Sequence, residues 1–260
     1  MLIEAFTIKG LIHTMARISI ELVPRTPEAL AAEINIVKEK FPNIDTVNIP
    51  DIIRFKTRSW DACSQAGKDF ANTIPHIRTM DFSLQNPKAY LEILDKHNFK
   101  EILLVYGDKP QTMGHTLYPT TSPELIRLTK EERPDIKVYG AIDPYRSCFQ
   151  DELTFTKRKI DAGADGFFTQ PFFDLRLMKV YADLLKGTEV FWGISPVLTQ
   201  NSKNYWETRN LAVFPDSFEP TMEWNKQFAR EAIEFAKETD SNLYFMPIRA
   251  DIEEYLSGLF

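Results

Sequence analysis

Short runs of β-branched and aromatic residues alternate along this chain with longer stretches whose apolar positions recur every three or four residues. Ile18–Val23 reads as a strand closed by Pro24. Thr26-Pro27-Glu28 then opens a helix with a capping hydroxyl, a proline at the first helical position and an early acid. That helix runs to about Lys40, where Phe41-Pro42-Asn43 stops it. The unit then repeats. Strands are predicted at Thr46–Ile49, Thr73–Met80, Glu101–Tyr106, Lys137–Ile142, Gly166–Gln170, Val190–Ile194 and Leu243–Ile248. Helices follow them at Ser59–Phe70, Asn86–Asn98, Ser122–Arg133, Phe149–Ala162, Asp174–Lys186, Ser202–Asn210, Met222–Thr239 and Ala250–Leu259.

Strands that alternate with helices predict a parallel sheet. Eight such units in 260 residues, with no linker between them, fit an α/β chain folded as a single-domain (β/α)8 TIM barrel over residues 1–260. With the barrel filling the given length, no C-terminal regulatory domain is expected. Neither GxGxxG nor GxxxxGK[ST] occurs, which disfavours an open nucleotide-binding sheet. No apolar run reaches the roughly 18 residues of a membrane span, and MLIEAFTIKG lacks the basic-then-apolar order of a secretory leader. With only Cys63 and Cys148, a cytoplasmic protein without disulfides is expected. Four scattered histidines predict no metal site. The net charge of −6 and the lack of a dense basic cluster disfavour nucleic acid as a partner.

In a barrel the chemistry sits where the strands end at their C-terminal rim. Glu21 lies within the apolar run Ile18-Ser19-Ile20-Glu21-Leu22-Val23. It is either a general acid with a raised pKa or an acid satisfied by a neighbouring cation; the residue alone does not choose. Asp108 follows Gly107, whose lack of a side chain admits a ligand close to the backbone, though the same pair also suits a plain turn. Gln170, in Thr169-Gln170-Pro171-Phe172-Phe173-Asp174, can both donate to and accept from the edge of a heterocycle, or make a structural hydrogen bond. His76, after Pro75, has a structural reading as well.

Taken in order, these segments resemble methylenetetrahydrofolate reductase. The carrying residues are Ser19–Pro24, Pro75-His76, Gly107-Asp108-x-Pro110, Lys157-Arg158-Lys159-Ile160-Asp161-Ala162-Gly163-Ala164-Asp165 running into Thr169-Gln170-x-Phe172-Phe173-Asp174, then Gly193-Ile194-x-Pro196-Val197 and Arg249. The resemblance implies a (β/α)8 enzyme that reduces 5,10-methylenetetrahydrofolate to 5-methyltetrahydrofolate, an oxidoreductase of one-carbon metabolism and methionine biosynthesis. NADH or NADPH would be the hydride donor and FAD the carrier. It implies Glu21 as general acid, Asp108 as stabiliser of the cationic folate, and Gln170 on the pterin. Arg249 is implied for the folate side, with Trp206 or Tyr205 as an aromatic clamp. Asn48, His76, Tyr106, Gly107, Asp108, Tyr118, Tyr139, Asp143, Arg158 and Lys159 are the implied cofactor contacts.

Three positions depart from the family pattern. Tyr106 stands where an arginine is usual before Gly-Asp, Asp143 where a histidine is usual, and Asn48 where a threonine is usual. All three fall on the implied flavin contacts, so a flavin-free, NADH-using member of the same barrel is a second expectation. A non-catalytic folate-binding subunit is a third, and self-association is compatible with all of them.

Overall fold

Each strand pairs with the next in sequence order until the last returns to the first, giving a closed parallel barrel. The computed structural model describes residues 16–108 and 114–260. Its strands are β1 Ile18–Glu21, β2 Thr46–Ile49, β3 Asn72–Arg78, β4 Glu101–Val105, β5 Lys137–Ile142, β6 Gly166–Pro171, β7 Glu189–Ile194 and β8 Asn242–Phe245. The helices are α1 Pro27–Lys40, α2 Ser59–Ala66, α3 Lys88–His97, α4 Ser122–Glu132, α5 Phe149–Asp161, α6 Leu175–Leu184, α7 Gln200–Arg209, α8 Met222–Glu238 and α9 Ile252–Leu256. The single-domain (β/α)8 barrel read from the alternation is therefore the observed fold. The N-terminal segment read for a leader, and Pro110 of the Gly107-Asp108 motif, lie outside the described residues.

Local chemistry starts and stops these elements. The Thr26 hydroxyl accepts the Ala29 N–H at 3.1 Å, with Pro27 as the first helical residue of α1. The Glu124 carboxylate reaches back to the Thr121 N–H at 2.8 Å and starts α4. Asn98, at φ 48°, ends α3 in the left-handed region that asparagine tolerates. Strand β8 stops at Phe245, short of the expected Ile248, because Pro247 has no N–H to extend the ladder, and β1 ends at Glu21, two residues before the expected Val23. Thr79 and Met80, expected to continue β3, instead enter a short 3₁₀ turn, Thr79–Asp81.

Alternation along the strands sorts the side chains into two layers. Ile20, Val47, Ile77, Leu104, Phe167, Trp192 and Phe245 face outward under the helices. Ile74, Leu103, Tyr139, Phe168, Phe191, Tyr244 and Met246 fill the barrel. Phe168 stacks on Phe191 at 4.2 Å, and the rings of Tyr139 and Tyr244 meet Phe168 edge-on at 5.1 and 5.2 Å. The barrel is thus plugged rather than open, and only its two ends are polar.

The N-terminal end is an ionic floor. Arg17 donates to both Glu101 oxygens at 2.8 Å and to the Thr46 hydroxyl at 3.0 Å. Lys137 pairs with Glu189, which also accepts from Asn242 at 3.2 Å. At the opposite end the long β7–β8 connection carries α7 and α8. There Phe173, Trp206, Phe214, Phe218 and Trp224 pack into an aromatic wall. No helix among the described residues is long and apolar enough to cross a membrane, and none of their His, Cys, Asp and Glu side chains cluster as a metal site.

Candidate active site

Glu21 is the last residue of β1 and points inward, half-buried at the C-terminal mouth. One of its oxygens, Oε2, accepts a hydrogen bond from the Tyr244 hydroxyl of β8. Burial raises the Glu21 pKa to about 7; the Tyr244 hydrogen bond and the nearby Arg25 charge pull less strongly the other way. The group is thus poised to hold or release a proton near neutral pH. Asn48 stands beside it on β2 and donates to the Ser19 hydroxyl at 2.7 Å, while its own Oδ1 is buried with no protein partner. On β3, His76 packs edge-on against Tyr244 at 6.4 Å, and its Nε2 is also buried and unpartnered. Burial drives the His76 pKa down to about 3, so the ring is neutral. Ser195, just past β7, adds a buried hydroxyl that is likewise unpartnered. Buried polar atoms are seldom left unpaired, and Asn48 and His76 stand on the adjacent strands β2 and β3.

The Gly107-Asp108 turn is placed by an arginine from the neighbouring strand. Arg78, the last residue of β3, donates from Nη2 to the Asp108 carbonyl at 2.8 Å and from Nε to Asp81 at 3.2 Å. Asp81 accepts from Arg58 at 3.2 Å, and Arg58 grips Asp51 at 2.8 and 2.5 Å. Gly107 has φ 94°, and a Cβ there would lie 3.1 Å from the Arg78 side chain, so the turn needs glycine to settle on the guanidinium. The Asp108 carboxylate itself is exposed, 4.0 Å from Arg146. Tyr106 is exposed beside it, and Tyr118 is tied by its N–H to the Met80 carbonyl at 2.8 Å.

Past β5 a cavity of about 410 Å³ is walled by Asp143, Arg146, Asp151, Glu152, Phe155 and Arg158. Arg146 spends its charge on Asp143 at 3.2 Å. Two expected cofactor contacts stand elsewhere. Tyr139 faces the floor, where its hydroxyl lies 3.2 Å from Glu101 and 3.3 Å from Glu189. Lys159 is buried between α5 and β5, with its ammonium on the Ala141 carbonyl and 3.8 Å from Glu152. The adjacent Arg158 takes the cavity side. On the far side of the mouth Trp206 is sealed in the aromatic wall, whereas Tyr205 is exposed with the Arg249 guanidinium 5.8 Å from its ring centre. Arg249 lies in the loop after β8 rather than on the strand, at φ 55°. Gln170 is exposed on β6, beside an irregularity in its pairing with β7.

The family model for methylenetetrahydrofolate reductase matches residues 18–234, from the first strand through most of α8. The chain belongs to that family. The 5,10-methylenetetrahydrofolate reductases of Buchnera aphidicola and Pectobacterium carotovorum are 25% and 27% identical to it over 147 and 128 residues, covering 54% and 47% of this chain. The chain spans about half the length of these relatives, 50% and 43% respectively. Among solved structures, a Clostridium thermocellum protein that binds two copies of 5-methyl-5,6,7,8-tetrahydrofolic acid shares the fold, with a TM-score of 0.66, 15% identity and 94% coverage of both chains. A 2,3-dimethylmalate lyase also shares it, with a TM-score of 0.55, 11% identity and coverage of 90% and 74%. For a chain of the methylenetetrahydrofolate reductase family, the features that sequence reasoning missed are Tyr244 and the arginine placement around Gly107. Tyr244 sits in an apolar run and reads as core, because its partner lies across the barrel closure.

Proposed function

We propose that this protein reduces 5,10-methylenetetrahydrofolate to 5-methyltetrahydrofolate, with NADH or NADPH as the hydride source and Glu21 as general acid. The observation that carries this reading is a single carboxyl, protonatable near neutral pH, at the mouth of a barrel of this family. The pterin edge pairs with the Gln170 amide. Glu21 gives its proton to N10; the bond from N10 to the bridging carbon breaks, leaving an iminium at N5. The Asp108 carboxylate steadies that cation, and hydride addition to the same carbon yields the methyl group. Tyr205 and Arg249 take the aminobenzoyl-glutamate end, whose carboxylates need a cation. The Clostridium thermocellum protein that shares the fold binds 5-methyl-5,6,7,8-tetrahydrofolic acid, the proposed product.

The residues at the mouth fit FAD, on which the family generally depends. The unpartnered Asn48 Oδ1 and His76 Nε2 suit a flavin's polar edge, the Gly107 turn offers close backbone approach, and Arg158 suits the diphosphate. When bound, FAD supplies the hydride-carrying ring that NAD(P)H reduces. One observation favours the flavin-free reading: Asp143, Asp151 and Glu152 share the cavity wall with Arg158. The test is a purified sample assayed for NADH oxidation with methylenetetrahydrofolate, with and without added FAD. Yellow protein whose flavin is bleached by NADH, and whose Glu21→Gln variant keeps that bleaching but loses folate reduction, is expected. Colourless protein with full turnover would replace FAD by direct transfer, and folate binding without any NADH oxidation would remove the enzyme reading.

A further inference from the structure

We infer that Tyr244 is the positioning residue for Glu21, fixing on which carboxyl oxygen the transferable proton resides. This rests on the reading of Glu21 as the general acid. The phenol donates to Oε2, which therefore acts as the acceptor oxygen of the neutral acid. The proton of the acid is then on Oε1, which takes no hydrogen bond from the described residues. In the step, the Oε1–H bond breaks, an N–H bond forms at N10, and the electron pair left behind is shared across both oxygens. The hydrogen bond to Oε2 becomes charge-assisted at that moment and strengthens. Tyr244 thus orients the acid and steadies its conjugate base.

The tyrosine is rigid enough for this task. It is 3% exposed, on β8, and its ring is held edge-on by Phe168 at 5.2 Å and by His76 at 6.4 Å. The pairing of Ile20 with Phe245 fixes its height against β1. The other charged or titratable groups facing this pair are Arg25, from the turn after β1, and His76 from β3, kept neutral by burial. Asn48 from β2 carries no charge. Tyr244 is the only one of these whose proton goes to Glu21 in the structure.

The test is Tyr244→Phe, which keeps the ring and its packing. For loss of one hydrogen bond to a charged group, kcat for folate reduction falls about tenfold, KM for the folate stays within about twofold, and the alkaline limb of the pH profile moves up by about one unit. A readout independent of turnover is the carboxyl C=O stretch in the infrared difference between parent and Glu21→Gln. In Tyr244→Phe that band moves to higher wavenumber and titrates at higher pH. A band and midpoint unmoved by the substitution overturn the assignment, whatever happens to turnover. A moved band in a protein that reduces no folate upholds the pair and removes only the reaction assigned to it.

Discussion

Under the proposed reading, Asp143 faces the diphosphate of an anionic dinucleotide with a carboxylate. It sits directly after β5, on the cavity wall with Arg158, and it occupies Arg146 at 3.2 Å. Replacing it changes two charges at once, because a repelling carboxylate goes and a guanidinium is released. For Asp143→His, the FAD dissociation constant, read from quenching of flavin fluorescence, is expected to fall about tenfold, equivalent to about 1.4 kcal/mol. The gain should shrink as salt is raised, since the site is open to solvent. An unchanged affinity at low salt would put the diphosphate away from this wall. Lys159, only one residue from Arg158, is no substitute cation, because burial lowers its pKa and its ammonium is held by Ala141 and Glu152.

At the level of elements, the floor shows how strands are locked at the end remote from chemistry. Arg17 precedes β1 and ties it to β4, while Glu189 of β7 and Lys137 of β5 close the opposite arc. Arg17→Met would leave Glu101 and Glu189 facing each other across the Tyr139 hydroxyl without their shared cation. A loss of about 3 kcal/mol is expected from breaking so enclosed a pair, seen as a lower urea midpoint with an unchanged slope. Adding Glu101→Gln should restore part of it; a midpoint within error of the parent for Arg17→Met would mean that water already screens the floor. Much of the architecture was legible locally: the cap at Thr26, Pro24 closing the first strand, and short apolar strands between amphipathic helices. Pro247 was not read as a stop, and the expected last strand ran past it to Ile248. The inward direction of Tyr139 was legible too, but its depth was not, because depth follows from the stagger of the closed sheet. Lys159 was readable in principle. It shares with Glu152 and Thr156 the helical face of α5 that turns to the sheet, and that phase sends Arg158 the other way. The Tyr244–Glu21 contact has no local signal, since residues 223 apart meet only when β8 closes on β1.

For the whole molecule, two buried groups of opposite habit shape stability against pH. Glu21 has its pKa raised from 4.5 to about 7 by burial, so its contribution to stability is full below about 4.5 and is lost as pH rises towards 7. His76 has its pKa lowered from 6.5 to about 3 by burial, so its contribution is full above about 6.5 and is lost as pH falls towards 3. Between 4.5 and 6.5 the two slopes have opposite signs, each at most about 1.4 kcal/mol per pH unit, and they cancel. Below 4.5 the histidine acts alone, and stability drops towards pH 3 because the unfolded chain takes up a proton that the buried ring does not. The balance can be opened from either side. His76→Gln leaves the Glu21 slope, so its unfolding free energy should fall relative to the parent between pH 5 and 6.5. Glu21→Gln leaves the His76 slope, so its free energy should rise over the same interval. Urea unfolding of the three proteins at these two pH values measures both differences. Curves for the variants that run parallel to the parent would mean that water reaches these side chains and that neither is held neutral by the barrel.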